Sequence, residues 1–144
     1  MVDVILTLED AIALAVKSHD GQVDKVGQTY ILHPLRVMFA VEGDTARMAG
    51  ILHDVVEDTD VTFDQLREMG YNEEVIEALD CLTRRDDETY AKFVERANAN
   101  PIARQVKIAD IEDNMDIRRL HEVTDTVTGR LQRYLKAWRR LKED

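Results

Sequence analysis

The chain has 144 residues and a formal net charge of -10, with 29 acidic against 19 basic residues. This length predicts a single domain over residues 1–144 that can bury a core of its own, and the acidic balance argues against nucleic acid as a partner. The single cysteine excludes an internal disulfide, and there is neither a signal-peptide pattern nor an apolar run of about 20 residues, so we expect a cytoplasmic protein without a membrane partner.

The N-terminal half carries the start and stop signals of several helices. Thr7 is placed to cap a first helix, and residues 20–32, which include two glycines, break the helical period and are predicted to form a loop. Pro34 suits the first turn of the next helix. Asp44 is predicted to cap a helix over residues 45–58.

The C-terminal half continues the helical pattern. Thr62 and Gln65 have the spacing of a capping box, and Gly70 ends the short helix that follows. Further helices are predicted over residues 72–83, 88–98, 101–116 and 125–142. Because strand signals are nearly absent, the sequence predicts an all-α, single-domain helical bundle with short connections.

The densest group of chemically active side chains is the run from His53 to Asp58. On one helix, His53 would lie over Glu57 and Asp54 over Asp58, because residues four apart share a helix face. Three carboxylates held this closely repel one another unless a cation or a proton neutralises them. The alternative is a solvated acidic helix end with an incidental histidine.

Two other segments offer groups of the same kind. His33 precedes Pro34 at a predicted helix start, and Lys107, Asp110 and Asn114 form a polar stripe on a predicted helix. A buried aspartate needs a partner, and a metal ion is one such partner. Two imidazoles and two carboxylates are then available to one cation: His33, His53, Asp54 and Asp110.

The order of these groups resembles the HD-domain phosphohydrolase superfamily, an all-α fold that binds one or two divalent metals. The neighbouring residues resemble the hydrolase domain of RelA/SpoT-type proteins, and the similarity runs from about residue 8 to residue 114. The chain resembles a single-domain small alarmone hydrolase. The motifs that carry the resemblance are His19-Asp20-Gly21-Gln22, Tyr30-Ile31-Leu32-His33-Pro34, His53-Asp54 with Glu57-Asp58, and Lys107-Ile108-Ala109-Asp110 with Asn114.

The resemblance implies a metal-dependent phosphohydrolase that removes pyrophosphate from the ribose 3′ position of guanosine tetra- or pentaphosphate, giving GDP or GTP. It implies one divalent metal ion, typically Mn²⁺, held by His33, His53, Asp54 and Asp110. Mixed imidazole and carboxylate ligation does not by itself distinguish Mn²⁺ from Fe²⁺, Co²⁺ or Zn²⁺. Glu57 and Asp58 would orient and deprotonate the attacking water or assist the leaving group. Asn114 would contact the nucleotide or support the metal site.

A small polyanionic nucleotide needs local positive charge to approach a protein this acidic. Arg130 and Tyr134 share a face of the last predicted helix, so a guanidinium and a phenol could reach one phosphate together. The full set of substrate-binding candidates is Lys25, Lys107, Asn114, Arg130 and Tyr134, with Lys92 and Arg96 as further cations.

One departure from the family pattern leaves alternatives open. Alarmone hydrolases usually place an arginine and then a lysine in the first loop, whereas this chain has Asp24 and then Lys25. An HD-type nucleotidase that acts on other nucleotides is therefore the second interpretation. A non-catalytic nucleotide-binding module is the third, and the presence of Glu57 and Asp58 argues against it. Whether the chain forms a homo-oligomer stays open.

Overall fold

A computed structural model describes residues 6–143. In this range the chain forms nine α-helices, and its extended backbone is confined to one isolated antiparallel bridge between Val23 and Thr29. The helices are α1 Leu8–Ser18, α2 Leu32–Phe39, α3 Asp44–Leu52, α4 Val55–Asp58, α5 Phe63–Met69, α6 Glu73–Cys81, α7 Tyr90–Asn98, α8 Pro101–Asn114 and α9 Asp125–Lys142, with a 3-10 turn at Ile117–Arg119. The predicted all-α class is confirmed.

Most predicted helix ends are found where the cap signals put them. Thr7 caps α1, and its hydroxyl accepts a hydrogen bond from the backbone N–H of Asp10. Thr62 and Gln65 form a reciprocal capping box at the start of α5, and Gly70 ends that helix in the left-handed region with φ 109°. Helix α9 has the predicted bounds.

Two predictions about the helix that carries His53 are wrong. The predicted helix over residues 45–58 is divided, because α3 ends at Leu52, His53 and Asp54 form a turn, and α4 begins at Val55. The His53 ring donates from Nδ1 to the carbonyl oxygen of Gly50 at 2.7 Å, an acceptor that a continuous helix would pair with residue 54 instead. Asp44 is the first residue of α3, and the N-cap is Gly43 with φ 88°.

Helices α3 and α8 lie at the centre of the bundle. Helix α3 packs against α1, α2, α6 and α8, while α8 also packs against α2, α7 and α9. At Gly50 a Cβ atom would come within 3.3 Å of the Met38 backbone, so a glycine lets α2 and α3 approach closely. This packing brings the N-terminal end of α2, the end of α3 and the second half of α8 to one place in the fold.

No helix within residues 6–143 is both long enough and apolar enough to cross a bilayer.

Candidate metal centre and cleft

The four predicted metal ligands come from three segments and meet at one point. Nε2 of His33 lies 2.9 Å from Oδ1 of Asp110 and 3.8 Å from Oδ2 of Asp54. Nε2 of His53 lies 3.0 Å from the same Asp54 oxygen and 3.5 Å from the same Asp110 oxygen. The structure therefore brings together two imidazole nitrogens and two carboxylates on α2, the α3–α4 turn and α8.

The hydrogen bonds of the two rings direct their Nε2 atoms into this point. His53 donates from Nδ1 to the Gly50 carbonyl, and His33 donates from Nδ1 to Oδ2 of Asp113 at 2.6 Å. In its neutral form a ring that donates from Nδ1 has no proton on Nε2, so Nε2 can offer its lone pair to a cation. Nε2 of His33 also lies at hydrogen-bond distance, 2.9 Å, from Oδ1 of Asp110, a contact that the protonated ring makes. Nε2 of His53 is buried and forms no hydrogen bond within residues 6–143. A lone pair without a donor, surrounded by carboxylate oxygens, is the environment that a cation or a proton stabilises.

The titration of these groups reflects the same electrostatic environment. Burial alone opposes charge on the two rings. Hydrogen bonds to Asp110 and Asp113 outweigh it and raise the pKa of His33, and the charges of Asp54 and Asp110 raise the pKa of His53. Burial likewise opposes ionisation of the two aspartates, yet the histidines, and Lys107 beside Asp110, lower the pKa of both. The donor set fits a divalent cation, since single ligand atoms of His33, His53 and Asp54 lie within 4.8 Å of one another.

Lys107 and Asn114 are both partners of Asp110. Lys107 is 7% exposed, and its ammonium group lies 3.2 Å from Oδ2 of Asp110 and 4.4 Å from the centre of the Phe93 ring. Asn114 donates from Nδ2 to Oδ1 of Asp110 at 3.0 Å. Lys107 was predicted to bind substrate, but the structure favours a role in orienting Asp110, because the buried ammonium is already paired.

Tyr30 connects the first loop to this centre. Its hydroxyl donates to Oδ2 of Asp54 and lies 3.4 Å from Oδ2 of Asp58. Burial and the charge of Asp54 raise the pKa of Tyr30, so the phenol remains a donor at neutral pH. The motif containing Tyr30 was part of the resemblance, but its contact with Asp54 could not be predicted because it joins residues 24 positions apart.

Glu57 and Asp58 lie beside the four ligand candidates on the exposed side of α4. Partial burial and the charge of Asp54 raise the pKa of both carboxyl groups. Raised carboxyl pKa values next to a metal-ligand set are typical of groups that exchange protons with a substrate.

These groups open into one cleft with a volume of about 600 Å³. All eleven residues predicted for the site line it: Lys25, His33, His53, Asp54, Glu57, Asp58, Lys107, Asp110, Asn114, Arg130 and Tyr134. Partial burial and the nearby charge of Arg130 lower the pKa of Lys25, so two cations face the same space. Neither cation has an ion-pair partner in the part of the chain that the structure describes.

Two further cations considered for the substrate are not part of the cleft. Lys92 and Arg96 are absent from its lining. Arg96 is paired with Glu88 and donates to the backbone carbonyls of Asp80 and Thr83. Its role is therefore to join α7 to the end of α6, which the spacing of charges in the sequence could not reveal.

Asp24 and His19 stabilise the first loop through hydrogen bonds to its residues. The Asp24 carboxylate accepts hydrogen bonds from the backbone N–H groups of Val26 and Gln28, at 3.0 and 2.9 Å. His19 is hydrogen-bonded through Nδ1 to Oε1 of Gln22 at 2.8 Å, a contact between the end of α1 and the loop. Asp24 also borders the cleft.

No family model matches the chain. Among curated relatives, a guanosine-3′,5′-bis(diphosphate) 3′-pyrophosphohydrolase of Aquifex aeolicus is 28% identical over 121 residues, and a GTP pyrophosphokinase of Streptomyces coelicolor is 36% identical over 121 residues. Each alignment covers 75% of this chain but only 17% and 14% of the relative. A pyrophosphohydrolase of Spiroplasma citri is 41% identical over 66 residues, which are 43% of this chain and 9% of that protein. The chain thus spans less than a fifth of these relatives.

A solved structure supplies the fold comparison. The structure of a metazoan ortholog of SpoT that hydrolyses ppGpp matches with a TM-score of 0.78 at 21% identity, over 99% of this chain and 89% of that one. The sequence relatives and this shared fold confirm the resemblance predicted from the motifs: the chain is related to the RelA/SpoT-type proteins and has their all-α HD-type fold.

Proposed function

We propose that this chain is a metal-dependent phosphohydrolase that removes pyrophosphate from the 3′ position of guanosine-3′,5′-bis(diphosphate), with residues 1–144 acting as one hydrolase domain. The observation that carries the proposal is the meeting of four ligand groups beside Glu57 and Asp58 in one cleft. The names of the relatives support the choice of substrate.

His33, His53, Asp54 and Asp110 would hold the cation, for which Mn²⁺ is our proposal. A divalent cation bound there supplies Lewis acidity, which acidifies water and offsets charge on phosphoryl oxygens. Lys107 and Asn114 keep Asp110 in place from the α8 side, and Tyr30 keeps Asp54 in place from the loop.

Glu57 and Asp58 would move the protons of the reaction. Hydrolysis joins a water oxygen to phosphorus and breaks the bond from phosphorus to the ribose 3′ oxygen, so water loses one proton and the 3′ oxygen gains one. A carboxylate at the mouth of the cleft can take the first proton, and a carboxyl group can give the second. Partial burial and the charge of Asp54 raise the pKa of both side chains, which makes each a stronger base than an exposed carboxylate.

Lys25, Arg130 and Tyr134 would bind the phosphate groups that do not react. The two cations and the phenol line the same cleft as the ligand groups. Local positive charge of this kind is what allows a polyanion to approach a chain with net charge -10.

Product analysis tests the proposal directly. The purified chain, freed of metal and then given Mn²⁺, is expected to release pyrophosphate and GDP from guanosine-3′,5′-bis(diphosphate). The matched control is Asp54→Asn, which removes one ligand charge at nearly constant volume and is expected to release neither. Release of orthophosphate, or turnover that is equal without added metal, would contradict the proposal.

A nucleotidase for other nucleotides is the second candidate, and Asp24 favours it. Its carboxylate lies in the loop at the edge of the cleft, where it accepts hydrogen bonds from two backbone N–H groups of the loop and adds negative charge. A panel of nucleoside mono-, di- and triphosphates separates the two functions, since a 5′-nucleotidase liberates orthophosphate. Nucleotide binding without hydrolysis across several divalent cations would instead indicate a binding module.

A further inference from the structure

We propose that Asp113 is a positioning residue, which accepts a hydrogen bond from Nδ1 of His33 and thereby presents Nε2 of that ring to the cation. The inference rests on the proposed function only in taking His33 as a ligand. Asp113 lies on α8, one turn after Asp110, and its Oδ2 is 2.6 Å from Nδ1 of His33. The two side chains are 10% and 9% exposed, so water does not replace this contact easily.

Asp113 is itself held in a fixed position by two arginines. Arg36, from α2, donates from Nε to Oδ1 of Asp113 at 2.7 Å. Arg119, from the 3-10 turn, donates from Nη1 to the same oxygen at 3.3 Å and from Nη2 to the Asp113 carbonyl at 2.8 Å. With two guanidinium groups holding it, the carboxylate has a fixed position and orientation opposite Nδ1 of His33.

The consequence for His33 follows from the chemistry of imidazole. A free neutral ring can carry its proton on either nitrogen and can rotate, so only part of its population offers the lone pair on Nε2. A carboxylate at Nδ1 selects one tautomer and one orientation, and it makes Nε2 a stronger base.

The two histidines of the site differ in how this is achieved. The ring of His53 is fixed by the backbone carbonyl of Gly50, which no substitution removes. The ring of His33 is fixed by a side chain, which a substitution does remove. Outer partners of this kind change metal affinity by about 10- to 100-fold when they are lost.

A purely structural role for Asp113 makes a different prediction. Through Arg36 the carboxylate also joins α2 to α8, and that connection alone could explain its burial. Arg36→Met removes the Arg36 ion pair between α2 and α8 but leaves the contact between Asp113 and His33. The Arg36 variant therefore separates positioning of the ring from packing of the helices.

Binding of Mn²⁺ alone to the full chain, followed by the electron paramagnetic resonance signal of free Mn²⁺, tests the inference without any nucleotide. Asp113→Ala is expected to weaken Mn²⁺ binding about 10- to 100-fold, and Asp113→Asn less, because an amide oxygen can still accept from Nδ1. Glu112→Gln, an exposed carboxylate on the same helix, is the charge-matched control and is expected to bind as the unaltered chain does. Arg36→Met is expected to lose less affinity than Asp113→Ala.

Each other outcome has a definite meaning. Binding by Asp113→Ala within twofold of the unaltered chain, or an equal loss in Arg36→Met, would overturn the positioning role. Failure of the unaltered chain to bind any divalent cation would instead overturn the proposed function. If Asp113→Ala does not fold, nitrogen NMR of the unaltered chain loaded with Zn²⁺ decides the question: a His33 proton on Nδ1 is expected, and a proton on Nε2 would refute the inference.

Discussion

Two regions of this molecule enclose charged side chains, and they do so in opposite ways. At the α6–α7 corner, formed by Asp80, Thr83, Glu88 and Arg96, the guanidinium makes two hydrogen bonds to the Glu88 carboxylate and two to backbone carbonyls. At the central cluster, formed by His33, His53, Asp54, Lys107 and Asp110, carboxylate oxygens surround two ring nitrogens, one of which has no hydrogen bond within the described residues.

The difference distinguishes a structural ion pair from a binding site. At the corner, each of the three guanidinium nitrogens of Arg96 donates to a partner within the protein, so the region is complete without a ligand. In the central cluster, negative groups and lone pairs converge without enough donors, so a cation improves the electrostatics. Substitutions at the corner should therefore change stability, and substitutions in the cluster should change chemistry.

The largest effect is expected from Asp110→Asn. The amide keeps the shape of the side chain but removes a ligand charge, so bound metal should be lost and turnover should fall by at least about 10³-fold. Metal analysis and circular dichroism check both parts, and the helical content should be retained. An unchanged metal stoichiometry would remove Asp110 from the ligand set.

Glu57→Gln should affect chemistry without affecting metal binding. Losing a proton-transfer group typically lowers kcat about 10²- to 10⁴-fold. Steady-state kinetics and Mn²⁺ binding measure the two parts separately. Glu77→Gln, an exposed carboxylate on α6, is the control and should leave kcat unchanged. A kcat for Glu57→Gln equal to that of the control would exclude this role for Glu57.

Arg96→Met should have the opposite signature at the α6–α7 corner. Removing the guanidinium leaves the Glu88 carboxylate, which is 8% exposed, without its partner, so the free energy of unfolding should fall by about 2 kcal/mol. Urea unfolding measures this, with Arg85→Met as a control that should change stability by less than about 0.5 kcal/mol. Mn²⁺ affinity should not change in the folded protein. A weakened affinity would contradict the claim that the α6–α7 corner is structural and separate from the metal-binding cluster.

Lys25→Met extends the comparison to the outer part of the cleft. Losing one phosphate contact should raise KM about tenfold, equivalent to about 1.4 kcal/mol, while kcat stays near its original value. Lys92→Met lies outside the cleft and should leave KM unchanged. Equal effects of the two substitutions would show that overall charge, rather than this site, attracts the nucleotide.

The smallest effect is a pH dependence of stability at the α6–α7 corner. The hydrogen bond from Arg96 lowers the pKa of Glu88 to about 2 from an ordinary value of 4.5. Because the folded pKa is the lower one, the stabilisation is fully present above pH 4.5 and is lost as the pH falls towards 2. Unfolding curves of the unaltered chain and of Glu88→Gln should therefore converge on acidification, and a gap that widens at low pH would contradict this.

The parts of the molecule that could be predicted from sequence are those set by local chemistry. Caps at Thr7 and Thr62 and the glycine at position 70 depend on neighbours three or four residues away, so the helix ends followed from the sequence. The division between α3 and α4 did not, because the bond from the His53 ring to the Gly50 carbonyl competes with helical pairing only in the packed structure.

The same distinction between local and long-range contacts applies to the candidate site. The residue types, their order and the family resemblance were enough to name eleven of the residues that line the cleft. The partners that orient them were not, because Tyr30 reaches Asp54 across 24 positions and Asp113 reaches His33 across 80. The i to i+3 spacing of Asp110 and Asp113 on α8 was the one local signal that could have pointed to the second of these partners.

An anomalous-scattering map of crystals grown with Mn²⁺ tests the central claim most directly. The account predicts one strong peak bonded to Nε2 of His33, Nε2 of His53 and carboxylate oxygens of Asp54 and Asp110. A peak at any other place, or none in a preparation that hydrolyses the nucleotide, would contradict it.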